Sequence, residues 1–247
     1  TVTQTLSKGL KSFTGGIESG ARFLTYGTVA AYGMSRGIGA IAGAYGRVEE
    51  AQTNFTTMLS GNKDAAKKLT KELYTFAAQS SFGFNDLANA STRLFTSGAG
   101  NADNMVSKLK MLGDLAMGSP DKLERLSLVY SQIMANMKAD TRDLQQFGDA
   151  GIGLRAELMK DLGMEAGKFK EELEAGRISS AMVEKTLKRM TGVGGQFFNA
   201  TSARFNTLFG QWDAFKEKTV MMFAGIGKAA EEPMKRFIKE MIKKLDT

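Results

Sequence analysis

Glycine cuts this chain at intervals of one helix length, and that spacing constrains its fold more than any other feature. Gly61, Gly83, Gly98, Gly118, Gly148, Gly151, Gly163, Gly176 and Gly192 divide the middle of the sequence into short runs. Within the runs apolar residues recur at steps of three and four, the period of an amphipathic helix. Ala66, Leu69, Leu73 and Phe76 form one such stripe, and Met105, Leu109, Leu112 and Ala116 another. Ser119-Pro120-Asp121 reads as an N-cap, a proline at the first helical position and an acid facing the positive helix end. It opens a helix whose inward face is Leu123, Leu126, Tyr130, Ile133 and Met137. Convincing strand alternation is missing. The pattern predicts an all-α protein: a multi-helix domain of short glycine-punctuated helices, flanked by a Gly-rich N-terminal segment and a long amphipathic C-terminal helix.

Charge supports a three-part division. Residues 1–47 carry 5 basic and 1 acidic side chains, residues 48–192 carry 19 of each, and residues 193–247 carry 9 and 6. The overall charge of +7 therefore resides in the flanks. A sequence-specific DNA reader would concentrate Lys and Arg on its compact module, so a neutral middle argues against that function. The expected organisation is a Gly-rich basic flank at 1–47, a compact helical domain at 48–192 and an amphipathic basic helical extension at 193–247. The chain begins at Thr1 rather than Met and reads as a piece of something longer.

The flanks carry the candidate functional residues. From Phe23 to Gly46 the only charge is Arg36. Small residues four apart recur there as Gly33/Gly37 and Gly39/Gly43, a spacing that lets helices approach closely in a bilayer or a tight bundle. Gly33, Gly37, Gly39 and Gly43 are thus candidates for membrane contact or self-packing. In the other flank a helix predicted from Thr201 to Ala229 presents Phe205, Leu208, Trp212, Phe215 and Met222 along one side. That seam suits self-association, and folding back onto the domain would hide it equally well. Pro233 then opens a last helix with Met234, Ile238, Met241 and Leu245 inward and Lys and Arg outward, a basic amphipathic pattern that a solvated face explains at least as well.

The chain has no Cys and no His, which removes disulfides, thiol nucleophiles, imidazole bases and the ligands of zinc and copper sites. Gly37-Ile38-Gly39-Ala40-Ile41-Ala42 imitates a dinucleotide fingerprint but has no preceding strand. Glu171, Glu172 and Glu174, like Asp140 and Asp143, lie among Lys and Arg in helical contexts and read as solvated faces. No catalytic, cofactor-binding or metal-ligating residue emerges, and the expected function is not enzymatic.

Several segments, taken in order, resemble the conserved domain of phage tail tape-measure proteins. They are Phe55 to Gly61, Phe76-Ala77 to Phe82, Leu94 to Gly98, Leu112 to Ala116, Gln132 to Ala135, Asp143 to Gln146 and Ala150 to Ile152. Gly194 to Asn199, Thr207 to Gly210 and Trp212-Asp213 resemble its closing part, giving coverage of roughly 50–215. The chain departs from the pattern at Ser81, where the family often has Pro, and at Met137, where it often has Gly. The resemblance implies a structural protein of the tail-tube lumen that templates tube length during assembly and leaves ahead of the DNA on ejection. Implied partners are tail-tube subunits, tail assembly chaperones, tail-tip or baseplate proteins and further copies of the chain, and the Gly-rich segment separately suggests the host membrane on ejection. Implied locations are the virion tail, the host cytoplasm during assembly and the host envelope during ejection. Two other readings of the same residues are a free-standing membrane-active helical protein and a scaffold that binds DNA non-specifically through its flanks.

Overall fold

In the computed structural model the described residues are 43 and 45–214. Nearly all belong to one compact unit, Glu50–Lys218. Among the described residues the secondary structure is helical, apart from one isolated antiparallel bridge between Lys138 and Ser179.

A helical stretch over 45–58 leads into nine helices: α1 (Lys63–Ala78), α2 (Phe84–Thr96), α3 (Met105–Leu115), α4 (Pro120–Asn136), α5 (Thr141–Asp149), α6 (Leu154–Leu162), α7 (Ala166–Glu174), α8 (Ser180–Thr191) and α9 (Ala200–Phe205). A further helical stretch covers 208–214. Local chemistry sets most boundaries. The Asn62 side chain accepts from Ala65 N at 3.0 Å and starts α1. Asp140 and Asp143 each accept from the other's backbone N–H, at 2.8 and 3.0 Å, and start α5 as a reciprocal capping box. Pro120 occupies the first turn of α4 and Ser119 is its extended N-cap, although the Ser119 hydroxyl makes no capping bond. At the other ends, Gly163 closes α6 with φ +60 and Gly118 turns the chain after α3 with φ +71.

The core forms around α4, which packs most extensively on α2 and also touches α3, α5 and α8. Both sequence stripes are inward, since Ala66, Leu69, Leu73, Phe76, Met105, Leu109, Leu112 and Ala116 are all buried. So are Leu123, Leu126, Tyr130 and Ile133. Met137, expected to continue that face, is 70% exposed. It is the C-cap of α4 with φ 58, and this left-handed turn swings its side chain off the helical stripe.

The helix expected to run unbroken from Thr201 is interrupted at Asn206 and Thr207. Thr207 acts as a fresh cap: its hydroxyl donates to Arg204 O at 2.7 Å and accepts from Gly210 N at 3.1 Å. Gly210 makes the break possible, because a Cβ there would lie 2.2 Å from Arg204 O. The continuation beyond residue 214 lies outside the described residues.

Candidate functional site

The segments that carry the family resemblance are far apart in sequence, and the fold gathers several of them around the C-terminal half of α3. Phe76 and Phe82 meet edge to face with ring centroids 6.1 Å apart. The Phe82 ring lies over Gly113, where an added Cβ would sit 2.8 Å from Cε2. Asp114, next in the chain, accepts from Thr201 N at 2.9 Å through Oδ1 and so caps the start of α9. Ser81 donates to Gly118 O at 2.7 Å, and an added Cβ on Gly118 would meet Arg204 Cδ and Ser81 Oγ, each at 2.6 Å. Ser81, the departure from the family pattern, thus takes up a backbone acceptor that proline could not reach.

A second glycine contact delivers α9 to this place. After α8 ends, Phe197 N donates to Met190 O at 2.9 Å, folding the chain back over the helix end. Gly195 fits there only because it lacks a side chain, since a Cβ would lie 2.3 Å from Met190 O. Phe197 is buried, and Asn199 supplies the left-handed residue, φ 56, that precedes α9.

Two polar networks hold α8 against the rest. Lys108, only 9% exposed, donates to Tyr130 Oη at 2.8 Å and to Glu184 Oε1 at 3.1 Å, and Lys188 reaches the same Glu184 oxygen at 2.7 Å. Burial by itself would raise the Glu184 pKa, but the hydrogen bonds from Lys188 and Lys108 outweigh it and hold the carboxyl below its ordinary value. Burial, reinforced by the Glu184 charge, pushes the Tyr130 hydroxyl upward. Between α6 and α8, Arg189 spans Glu157 and Asp161, with Nε to Asp161 Oδ1 at 2.7 Å, while Thr186 donates to Asp161 Oδ2 at 2.7 Å. Desolvation opposes ionisation of Asp161, yet the bonds from Thr186 and Arg189 prevail and lower its pKa.

The sequence-nominated residues fare unequally. Gly33, Gly37, Gly39, Phe215 and Met222 lie outside the described residues. Gly43 is helical, and a Cβ on it would approach only Arg47 Nη1, at 3.6 Å. Phe205 is half-buried at the end of α9, whereas Leu208 and Trp212 are 83% and 58% exposed on the stretch that follows. The structure adds Phe209, 77% exposed, which falls between the steps of the seam and could not be found by periodicity. Asp140 and Asp143 line an open polar groove of about 610 Å³ with Gln132, Asn136 and Gln146, their carboxylates engaged in capping α5. Among the described residues no group of three or more His, Cys, Asp or Glu could hold a metal ion, and no helix is long and apolar enough to cross a membrane.

The contacts of Phe82 with Gly113, of Asp114 with Thr201 and of Gly118 with Ser81 and Arg204 bring the resembling segments together in space. Comparison with known proteins gives the same grouping. The family model described as tape measure protein matches residues 39–228. Two relatives, each described as a probable tape measure protein, come from Lactococcus phage p2 and Lactococcus phage SK1. Each is 24% identical over 234 residues, an alignment covering 85% of this chain and 22% of the relative. The chain therefore spans about a fifth of the length of the curated relatives it matches. No solved structure matches it. With the family model covering well over half of its residues, this chain belongs to the tape measure protein family.

Proposed function

We propose that this chain is the folded helical module of a phage tail tape-measure protein, acting as a structural part of tail assembly and genome ejection. The observation that carries the reading is the family match over 39–228. The tertiary contacts joining the resembling segments around α3 support it. In this reading the module sits in the tail-tube lumen of the virion and meets tail-tube subunits, tail assembly chaperones and tail-tip or baseplate proteins. It is made in the host cytoplasm and leaves the tube ahead of the DNA, and the Gly-rich segment 1–47 contacts the host envelope at that stage. Its role is structural and not catalytic.

The module is an assembly and docking element, while tube length is set by other parts of the parent chain. A ruler must be extended, and the longest helix described, α4 with 17 residues, spans only about 26 Å at roughly 1.5 Å per residue. Short helices of this kind bury their apolar faces only by folding against one another.

Chemical cross-linking of purified tails tests the assignment. Lysines exposed on the module, such as Lys68 and Lys71, should cross-link to tail-tube or tail-tip proteins in intact tails and lose those links after ejection. Recovery of the chain only in the non-virion fraction of an infected cell would overturn it.

A further inference from the structure

Little apolar burial holds α9 in place. It has six residues, and the one that is buried, Thr201, is polar. Ala203 is exposed, and Ala200 and Phe205 are only partly covered. Among the described residues three buried side-chain polar atoms lack a hydrogen-bond partner, and two of them, Thr201 Oγ1 and Arg204 Nε, lie on α9. Other helical threonines, such as Thr70 and Thr191, donate to the carbonyl four residues back, at 2.8 and 3.0 Å. Thr201 is only the second residue of its helix, and the carbonyl four back, Phe197 O, accepts instead from Ala200 N at 3.2 Å. A shielded polar atom without a partner is unfavourable and regains one in water. Against this stand the bond from Thr201 N to Asp114 Oδ1 and the seat of Arg204 over Gly118. The chain just before α9 is fixed separately, since Phe197 is buried and its N–H donates to Met190 O at 2.9 Å.

We propose that α9 is a latch on α3: residues 199–205 detach together beyond the Phe197 anchor while α1 to α8 stay folded, baring Gly113 and Gly118, both buried in the closed form. A helix of six residues does not persist alone, so release and unwinding are one step. Sub-global openings of this kind belong to segments with few buried apolar contacts. On release Thr201 and Arg204 gain water as a partner and Asn199 leaves its left-handed conformation, φ 56, and these gains offset the loss of the Asp114 bond. The latch follows from the contacts of α9 and holds whether or not the tail reading does.

Thiol labelling of the full chain provides the test, because the sequence has no cysteine of its own. Thr201→Cys places a thiol under the latch, and Ser91→Cys, at a fully buried position in α2, is the core control. Under native conditions iodoacetamide should alkylate the first at least about 100-fold faster than the second. Ile133→Val, a change in the core of α4, should speed labelling of the control by about 3- to 10-fold and leave labelling at residue 201 unchanged. Equal rates at the two positions, or a rise at both with Ile133→Val, would mean that α9 opens only with the whole unit and would overturn the proposal. Hydrogen exchange of the wild-type chain repeats the comparison without new cysteines. The Ala203 and Asn206 amides, bonded to Asn199 O and Ser202 O, should exchange at least about 100-fold faster than those of α4 after correction for intrinsic rates. Thr201→Val, which removes the unpartnered hydroxyl, should slow exchange in α9 about 5-fold or more, and faster exchange in that variant would also overturn the latch.

Discussion

Glycine at residue 113 and methionine at residue 137 show how much single backbone positions decide. Gly113 lies inside α3, where alanine would ordinarily gain about 1 kcal/mol in helix propensity. Its Cβ would meet the Phe82 ring at 2.8 Å, and overpacking a closed site costs about 1–3 kcal/mol. The packing term wins, so Gly113→Ala should lower stability by about 1–2 kcal/mol in chemical denaturation. Gly148, also helical but with nothing within 4 Å of a would-be Cβ, provides the control. Gly148→Ala should raise stability by about 0.5–1 kcal/mol in the same assay. Met137 holds a left-handed conformation, φ 58, that L residues adopt at a cost of about 1–2 kcal/mol. The family's usual glycine removes that cost at some expense in backbone entropy, so Met137→Gly should stabilise by about 0.5–1 kcal/mol. A destabilising result for either Gly148→Ala or Met137→Gly would contradict this reading of the backbone.

At the scale of elements, α8 is tied down by carboxylates whose ionised forms the fold favours. A depressed folded-state pKa contributes stability that is present above the unfolded value and is lost as pH falls through the folded one. For Glu184 and Asp161, with ordinary values of 4.5 and 3.8, that loss begins only below those values. Asp86 and Asp143 behave oppositely, since burial raises both above 3.8, and mild acid relieves rather than harms them. Urea denaturation should therefore show little loss between pH 7 and pH 5 and a fall below about pH 4.5, a fall that Glu184→Gln makes shallower. At neutral pH, Glu184→Gln should cost about 1–3 kcal/mol, because it leaves the Lys108 ammonium, 9% exposed, without its counter-charge. Elements with local signals were legible in the sequence. The Ser119-Pro120 start, the inward stripe of α4 and the glycine at the end of α6 each follow from one turn of chain. The break at Asn206 and Thr207 was not, because it depends on how closely Gly210 approaches Arg204 O. Burial of Lys108 was equally hidden, since its partners Tyr130 and Glu184 are 22 and 76 residues away. The seam of Phe205, Leu208 and Trp212 was visible as a period, but its exposure was a tertiary fact.

For the whole molecule, the compact unit Glu50–Lys218 and the family match over 39–228 point to a folded module of the tape measure protein family. Limited proteolysis should leave a resistant fragment close to Glu50–Lys218. Early cleavage inside α4 would contradict that. The central claim, that this module belongs to the tail without being its ruler, meets its most direct test in electron microscopy of tails from phage lacking residues 50–218. If the excised residues measured length as an extended helix, every tail would be shorter by about 250 Å at roughly 1.5 Å per residue. No such class of tails is expected: assembly fails, or the tails that form keep their normal length. A uniform population of otherwise normal tails shortened by about 250 Å would contradict it.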